Sequence, residues 1–372
     1  MSKSLLRKQQ VDFILLSCIM SLVAIGVIMV YSASSHIALY KYKNDLYFLK
    51  RQGAFAFLGF TSMFFISRID YHWFRHHTGK IMIIVVAFLL LVLLPIFPSI
   101  NGARRWIIIG PVSIQPSEMA KYVVVLYMAK SITNKGNQIK SFLYGVLPYL
   151  LVSGFFAGLV LAEKNLSIAA VIMIVTIIVL FAAGCKFIHI CLVGGFVGAL
   201  GVAATVFQPY RMQRFLTFLD PWADPKGAGY QLIQSLLALG SGSILGQGLG
   251  LSRQKCYYIP EPHNDFIFSV IGEELGLVGC TFIMILFIIF IARGISVALN
   301  AKDLYGTILA VGITAVIAVQ AIINIAVVTG SMPVTGVPLP FISYGGSSLF
   351  INLSAMGLLL NVSKQVKNKR SF

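Results

Sequence analysis

Polar residues gather in short clusters along this chain. Between them run ten stretches of nearly unbroken apolar residues, near 12–32, 52–67, 80–97, 118–133, 142–161, 166–184, 187–206, 265–293, 305–328 and 343–361. Most are about 17 to 25 residues long, the length at which a helix crosses the hydrocarbon core of a bilayer. The pattern predicts an all-α polytopic membrane protein of about ten transmembrane helices, a single integral membrane domain over 1–372. The first stretch follows "KSLLRKQQ" and precedes "SASS", as a signal peptide would. It is too long for a signal h-region and nine more follow, so it reads as a retained helix. One long connection, 207–264, separates the seventh and eighth stretches, and such a length without structure of its own would be unusual. Its middle, "GYQLIQSLLALGSGSILGQGLG", begins as an amphipathic helix and breaks into glycines. Glycine allows close backbone approach to a ligand, or a turn with positive φ.

Composition agrees with this division. The 372 residues are 58% hydrophobic and 11% charged, whereas a soluble domain carries about 25% charged residues. Ten spans put both termini on one side. The positive-inside rule makes that side cytoplasmic, through Lys3, Arg7 and Lys8 at one end and Lys364, Lys367, Lys369 and Arg370 at the other. Arg68, Arg75, Lys80, Lys130, Lys135, Lys140, Lys186, Arg293 and Lys302 fall on the same side, and the 207–264 loop becomes extracellular. The remaining Lys and Arg face outward, either snorkelling at the interface or awaiting an anionic ligand such as a phosphorylated lipid. A net charge of +17 suits anionic lipids in both cases. Cys18, Cys185, Cys191, Cys256 and Cys280 have no CxxC or metal-ligand spacing, which implies no disulfide framework. No P-loop and no Ser-His-Asp spacing is present, and "GQGLG" lacks the βαβ context of a dinucleotide site.

Three polar clusters carry the candidate chemistry. Residues 260–276, "PEPHNDFIFSVIGEELG", hold four of the chain's 12 carboxylates: Glu261, Asp265, Glu273 and Glu274. Asp265 stands where a helix would start, a favoured place for an Asp N-cap. It equally stands at the outer membrane boundary beside His263 and Asn264, where partial burial would raise its pKa toward that of a useful general base. Glu273 and Glu274 lie about 12 Å further along the helix and on different faces. Ionisable groups at that depth need partners, so either a structural ion pair or a substrate contact is expected.

The second cluster is "NGARRWIIIGPVSIQPSEMAKY", residues 101–122. Glu118 and Lys121 are spaced i, i+3 and share a helix face. They either fix helix packing, or Glu118 orients Lys121 so that it and Arg105 hold phosphate oxygens. The third is "PVTGVPLPFISYGGSS", residues 333–348. It is a rigid turn or the wall of a groove faced by Ser343, Tyr344 and the amides of Gly345 and Gly346; irregular backbone at membrane depth needs such cover.

These motifs, in this order, resemble the SEDS family (shape, elongation, division, sporulation) of FtsW, RodA and SpoVE proteins, with "NGARRW", "QPSEMAK", "GYQLIQSLLALGSG", "YYIPEPHNDFIFSVIGEELG" and "GVPLPFISYGGSS" spread over nearly the whole chain. The resemblance implies a peptidoglycan glycosyltransferase that polymerises lipid II at the outer face of the bacterial cell membrane. It implies a class B penicillin-binding protein, the crosslinking transpeptidase, as partner, alongside other division or sporulation membrane proteins. It implies Asp265 as the catalytic acid-base, with Arg105, Glu118 and Lys121 by the substrate. The wording of 260–276 resembles the division and sporulation branch, FtsW or SpoVE, which would place the protein at a septum. One stretch departs from the family: where it often reads "PDLGTA", residues 164–169 are "KNLSIA", with Asn165 for an acid and Ser167 for a glycine.

Residues and resemblance together give an expected mechanism. Asp265 takes the proton of an acceptor hydroxyl, which attacks an anomeric carbon with inversion and displaces a polyprenyl pyrophosphate. Arg105, Lys121 and either Arg211 or Lys255 would stabilise the departing charge. His263, Ser343, Tyr344 and Gly345 would line the groove, with Asn264, Glu273 and Glu274 in support. Mg²⁺ or Mn²⁺ would assist; no metal-ligand cluster is evident and no organic cofactor is expected. Two rivals remain. A lipid II flippase would need polar groups along the depth of several spans, whereas a division scaffold would need no intramembrane acids.

Overall fold

The computed structural model describes residues 11–365 apart from 98, 100, 101, 111 and 257. Lys3, Arg7, Lys8, Lys367, Lys369 and Arg370, expected at the inner side, lie outside the described residues, as does Asn101 of the second cluster. The described chain is nearly all helical. The helices are α1 (Phe13–Tyr42), α2 (Tyr47–Ile66), α3 (Tyr71–Val92), α4 (Pro116–Lys135), α5 (Leu147–Ala162), α6 (Leu166–Ala182), α7 (Phe187–Val206), α8 (Pro209–Leu219), α9 (Tyr230–Ser241), α10 (Ile267–Leu299), α11 (Leu304–Val328) and α12 (Gly346–Lys364). Between α3 and α4 a hairpin of β1 (Ile107–Ile109) and β2 (Val112–Ile114) pairs Ile107 with Ile114; the apolar run "WIII" did not signal it.

Among the described residues, seven helices are long and apolar enough to cross a membrane: α1, α3, α5 with the turn before it, α7, α10, α11 and α12. α6 is shorter. α2 and α4 occupy predicted stretches but carry charges, Lys50 and Arg51 in one, Glu118, Lys121 and Lys130 in the other. Length and composition therefore do not by themselves fix the count at ten. Residues 207–264 are not structureless, because α8 and α9 lie within them.

α11 is the central helix, buried along most of its length and packed on α4, α6, α10 and α12. α7 lies at the edge, with Val193 its one buried residue among those described. Small residues let the backbones close up, as between membrane helices generally. Gly59 of α2 lies against Leu353 of α12, and Gly357 of α12 against Met63 and Ile66 of α2. Ser62 and Ser354 bridge the same pair at 2.7 Å.

Polar ties close one end of the bundle. Asp12 caps α1 and accepts from Arg293 of α10. Asp303 caps α11 and accepts from the Tyr71 hydroxyl at 2.8 Å. Asn361 of α12 binds Tyr71 N and Ser67 O. This is the end that carries Arg68, Lys135, Lys186, Lys302 and Lys364, the side that the sequence expects to be cytoplasmic.

α10 is broken at Gly276, whose φ of 66° and ψ of −166° are not helical. The break strands backbone groups, and residues 243–248 take them up. Gln247 and Gly248 donate to Glu273 O and Glu274 O at 2.9 and 3.0 Å, while Leu277 and Val278 donate to Ser243 O and Ile244 O at 3.0 and 3.2 Å. A Cβ at Gly242, Gly246 or Gly276 would run into backbone of the opposing segment. The glycines of "GSGSILGQGLG" thus serve an approach of backbone to backbone.

Candidate active site at the start of α10

Asp265 lies two residues before α10, on a segment held through three successive carbonyls. Tyr344 N donates to His263 O at 2.8 Å, the Ser343 hydroxyl to Asn264 O at 2.8 Å, and the Asn324 amide to Asp265 O at 2.7 Å. The 333–348 cluster therefore works as a clamp. Its Ser343 also accepts from Leu339 N, and Gln52 of α2 ties Ser343 O and Gly345 N to the helix bundle. Asn324, inside α11, gives a second bond from the same amide nitrogen to Val337 O at 2.7 Å, fixing the next turn beside the first.

The Asp265 side chain is not spent on capping. α10 starts at Ile267 with Phe266 as cap residue and no side-chain capping bond. The carboxyl is half-buried and faces Gly336, where a Cβ would stand 3.3 Å from Oδ2. Gly336 has φ of 77°, so backbone and space both favour glycine there. Burial and the neighbouring Glu261 push the Asp265 carboxyl up, the Arg214 and Arg105 guanidiniums pull it back, and it settles at about 6.

Those two arginines come from separate elements. Arg214 is on α8 and donates to Val334 O at 3.1 Å, two residues before Gly336. Arg105, before the hairpin, donates from Nε to Glu163 O at 3.0 Å and from Nη2 to Lys164 O at 2.6 Å. These are carbonyls at the C-terminus of α5, the end of a helix that favours a cation. Lys164 returns a bond to Gly102 O. The divergent stretch is part of the same wall: Asn165 caps α6 by accepting from Ile168 N, and the Ser167 hydroxyl binds Thr335 O at 2.5 Å. The Glu163 carboxyl is 1% exposed, and both its oxygens lack a hydrogen bond among the described residues. Burial pushes it up to about 8, with the Ser117 hydroxyl and Arg105 nearby easing the shift without a well-formed bond. At neutral pH this carboxyl is protonated.

Several residues expected at the substrate are turned inward instead. Lys255 is 2% exposed, because its ammonium is paired with Glu274 at 2.7 Å and bonded to Ser32 of α1 at 3.1 Å. Glu274 also accepts from Ser32, while Glu273 accepts from the Ser252 hydroxyl and from Arg253 N at 2.8 Å. The two glutamates pin the segment after α9 to α10, the structural ion pair of the two alternatives for Glu274. Lys121 and Glu118 are both buried and paired at 2.9 Å, and the Ser348 hydroxyl donates to Glu118 at 2.8 Å. This pair joins α4 to α12, the packing alternative of the two. His263 packs between Phe48 and Tyr344, and burial together with Lys41 lowers its imidazole to about 4, so it is neutral. Tyr344 is half-buried in that aromatic group, Ser343 is used in the clamp, and Arg211 donates to Ala204 O. Asn264 donates from its amide to the Glu261 carboxylate at 2.7 Å.

Arg105 and Asp265 are the expected site residues that the structure brings together. Arg214, Glu163, Asn324 and Gly336 join them. Arg214 had a signal in the amphipathic "PYRMQRFLTFL", where it stands three residues after Arg211. Asn324 had one as an amide inside an apolar span.

The site is a half-buried carboxyl under the influence of two guanidiniums, at one rim of a helical bundle. It belongs to a multi-pass membrane protein, with this carboxyl at one end of its helices. The chain is a member of the FtsW/RodA/SpoVE family of cell cycle proteins, which matches residues 12–368. It is 45% identical to Stage V sporulation protein E of Bacillus subtilis (strain 168), over 96% of this chain and 98% of that one. It is 44% identical to the probable peptidoglycan glycosyltransferase FtsW of Geobacter sp. (strain M18), over 97% and 99%. Its fold matches a chain of a peptidoglycan synthase complex that coordinates polymerization and crosslinking, with TM-score 0.78 and 31% identity over 95% and 97%. It also matches the Thermus thermophilus rod shape determining protein RodA, with TM-score 0.72 and 27% identity over 96% and 98%.

Proposed function

We propose that this protein is a peptidoglycan glycosyltransferase that polymerises lipid II at the outer face of the cell membrane, with Asp265 as general base. The observation that carries the reading is the Asp265 carboxyl, half-buried at about 6 between Arg214 and Arg105. A base of that pKa is ionised at neutral pH and still strong enough to accept a proton in a transition state. Asp265 takes the proton of the acceptor's 4-hydroxyl as that oxygen bonds to the donor's anomeric carbon. The bond from that carbon to the undecaprenyl pyrophosphate breaks, and its electron pair leaves with the diphosphate. One base on one face is what an inverting displacement needs. Arg105, fixed by the carbonyls of residues 163 and 164, meets the developing charge.

Among the described residues no three His, Cys, Asp or Glu side chains converge on one point. Mg²⁺ or Mn²⁺ would therefore draw most of its ligands from the diphosphate and water, as Mg²⁺ commonly does, and no step here is routed through it. The partner that fits is a class B penicillin-binding protein, since the relative of known fold belongs to a complex joining polymerization to crosslinking. The relatives favour a division or sporulation role, at a septum.

The test is purified protein with its partner transpeptidase and labelled lipid II. Wild type makes glycan polymer and Asp265→Asn makes none while keeping its thermal midpoint. Lipid II translocation across vesicles without polymer, unchanged by Asp265→Asn, would overturn the proposal in favour of a flippase.

A further inference from the structure

Between α8, α9 and Val334 lies a half-open cavity of about 230 Å³. Gln213, Arg214, Thr217 and Phe218 of α8 line it, two i, i+4 pairs on one helix face. Gln231 of α9 and Ala228 face them. The floor is rigid: the Asp224 carboxyl accepts from Gly227 N at 3.0 Å and Ala228 N at 2.9 Å, which fixes the turn that starts α9. Two of its lining residues, Arg214 and Val334, link the cavity to the base. Arg214 lines it, binds Val334 O, and acts on the Asp265 carboxyl; two residues beyond Val334, Gly336 abuts that carboxyl.

The lining selects the occupant by its chemistry. The carboxamides of Gln213 and Gln231 and the Thr217 hydroxyl stand beside apolar Phe218, Ala228, Leu232 and Val334, a mixed lining that suits a ring with polar rim and apolar faces better than a polyprenyl tail. The lining holds one cation, Arg214, too few for a diphosphate. The set suits a neutral ring bearing hydroxyl and acetamide groups, each of which can donate and accept. The volume equals about seven or eight waters, room for one such ring.

We propose that this cavity seats the terminal N-acetylhexosamine of the acceptor, with Gln213, Thr217 and Gln231 bonding its acetamide and hydroxyls so that the 4-hydroxyl faces Asp265. The proposal rests on the glycosyltransferase reading and names the subsite that selects the acceptor. The experiment measures elongation of a preformed lipid-linked glycan by lipid II, and by lipid II whose terminal sugar lacks its acetyl group. Wild type prefers the acetylated acceptor. Gln231→Leu raises KM for acetylated lipid II by about 5- to 10-fold, the loss of one or two hydrogen bonds, and shrinks the preference for the acetyl group. Ala228→Leu fills the cavity and raises KM for both acceptors. Thr217→Val, nearly isosteric, shifts KM in the same direction without loss of folded protein. Wild-type KM and wild-type acetyl preference in these variants, with Asp265→Asn inactive, overturns the subsite and leaves the glycosyltransferase reading standing. Polymer from Asp265→Asn overturns that reading itself.

Discussion

Replacing Glu163 with Gln removes a proton that the folded chain is forced to hold. The carboxyl titrates near 8 when folded against an ordinary value of 4.5, and it is 1% exposed. Between those values the folded chain binds one more proton than the unfolded chain, so stability falls as pH rises from about 4.5 to about 8, and is flat beyond both ends. At pH 7 the accumulated cost is about 2.5 pH units, or about 3 kcal/mol. Gln does not titrate. Its amide meets the same shortage of partners, at a cost of about 1–3 kcal/mol that does not vary with pH. The slope, rather than the absolute stability, therefore carries the test. Thermal unfolding of detergent-solubilised parent and variant at pH 5 and pH 7 should show the gap moving in favour of Gln by about 2.5 kcal/mol, a few degrees in midpoint. Parallel pH profiles would mean that Glu163 is ionised and paired in the folded protein, and would refute the reasoning.

Polymerisation by the parent should fall away below pH about 6 as Asp265 protonates; Arg214→Gln should move that limb to higher pH and Glu261→Gln to lower pH, read as kcat/KM against pH. Asn324→Leu frees Asp265 O and Val337 O, and should lower kcat by about 10- to 100-fold with a smaller change in KM, since small misplacements of a catalytic group are that costly. Lys255→Met leaves the Glu274 carboxylate buried without its cation and should destabilise by about 3–5 kcal/mol, whereas Lys255→Met with Glu274→Gln should recover much of that in thermal unfolding.

The helices were legible where apolar runs were long, and the positions of α1, α7, α10, α11 and α12 followed from them. α1 ends ten residues beyond its apolar stretch, because Ser32 and Ser34 are buried and continue the helix where hydropathy drops. β1 and β2 were not legible, since three-residue strands leave no periodicity to read. At the site, Asp265 stood out as an acid at a helix boundary, and Arg105 as a cation in the separate "NGARRW" cluster. Lys255 and Lys121 misled for one reason. A cation in a polar cluster looks the same in sequence whether it faces a ligand or a buried carboxylate: the i, i+3 spacing paired Lys121 with Glu118 without choosing between packing and substrate, and nothing local tied Lys255 to Glu274. Glu163 and Arg214 come to the site through chain segments far from 265, a closeness that no local pattern records.

The break at Gly276 also makes α10 depend on a neighbour. Inside a bilayer an unpaired carbonyl costs several kcal/mol. The carbonyls of Glu273 and Glu274 find their donors in Gln247 and Gly248. The first third of α10 therefore has its backbone fully paired only with residues 247 and 248 against it, so its stability as a span is tied to a segment outside the helix.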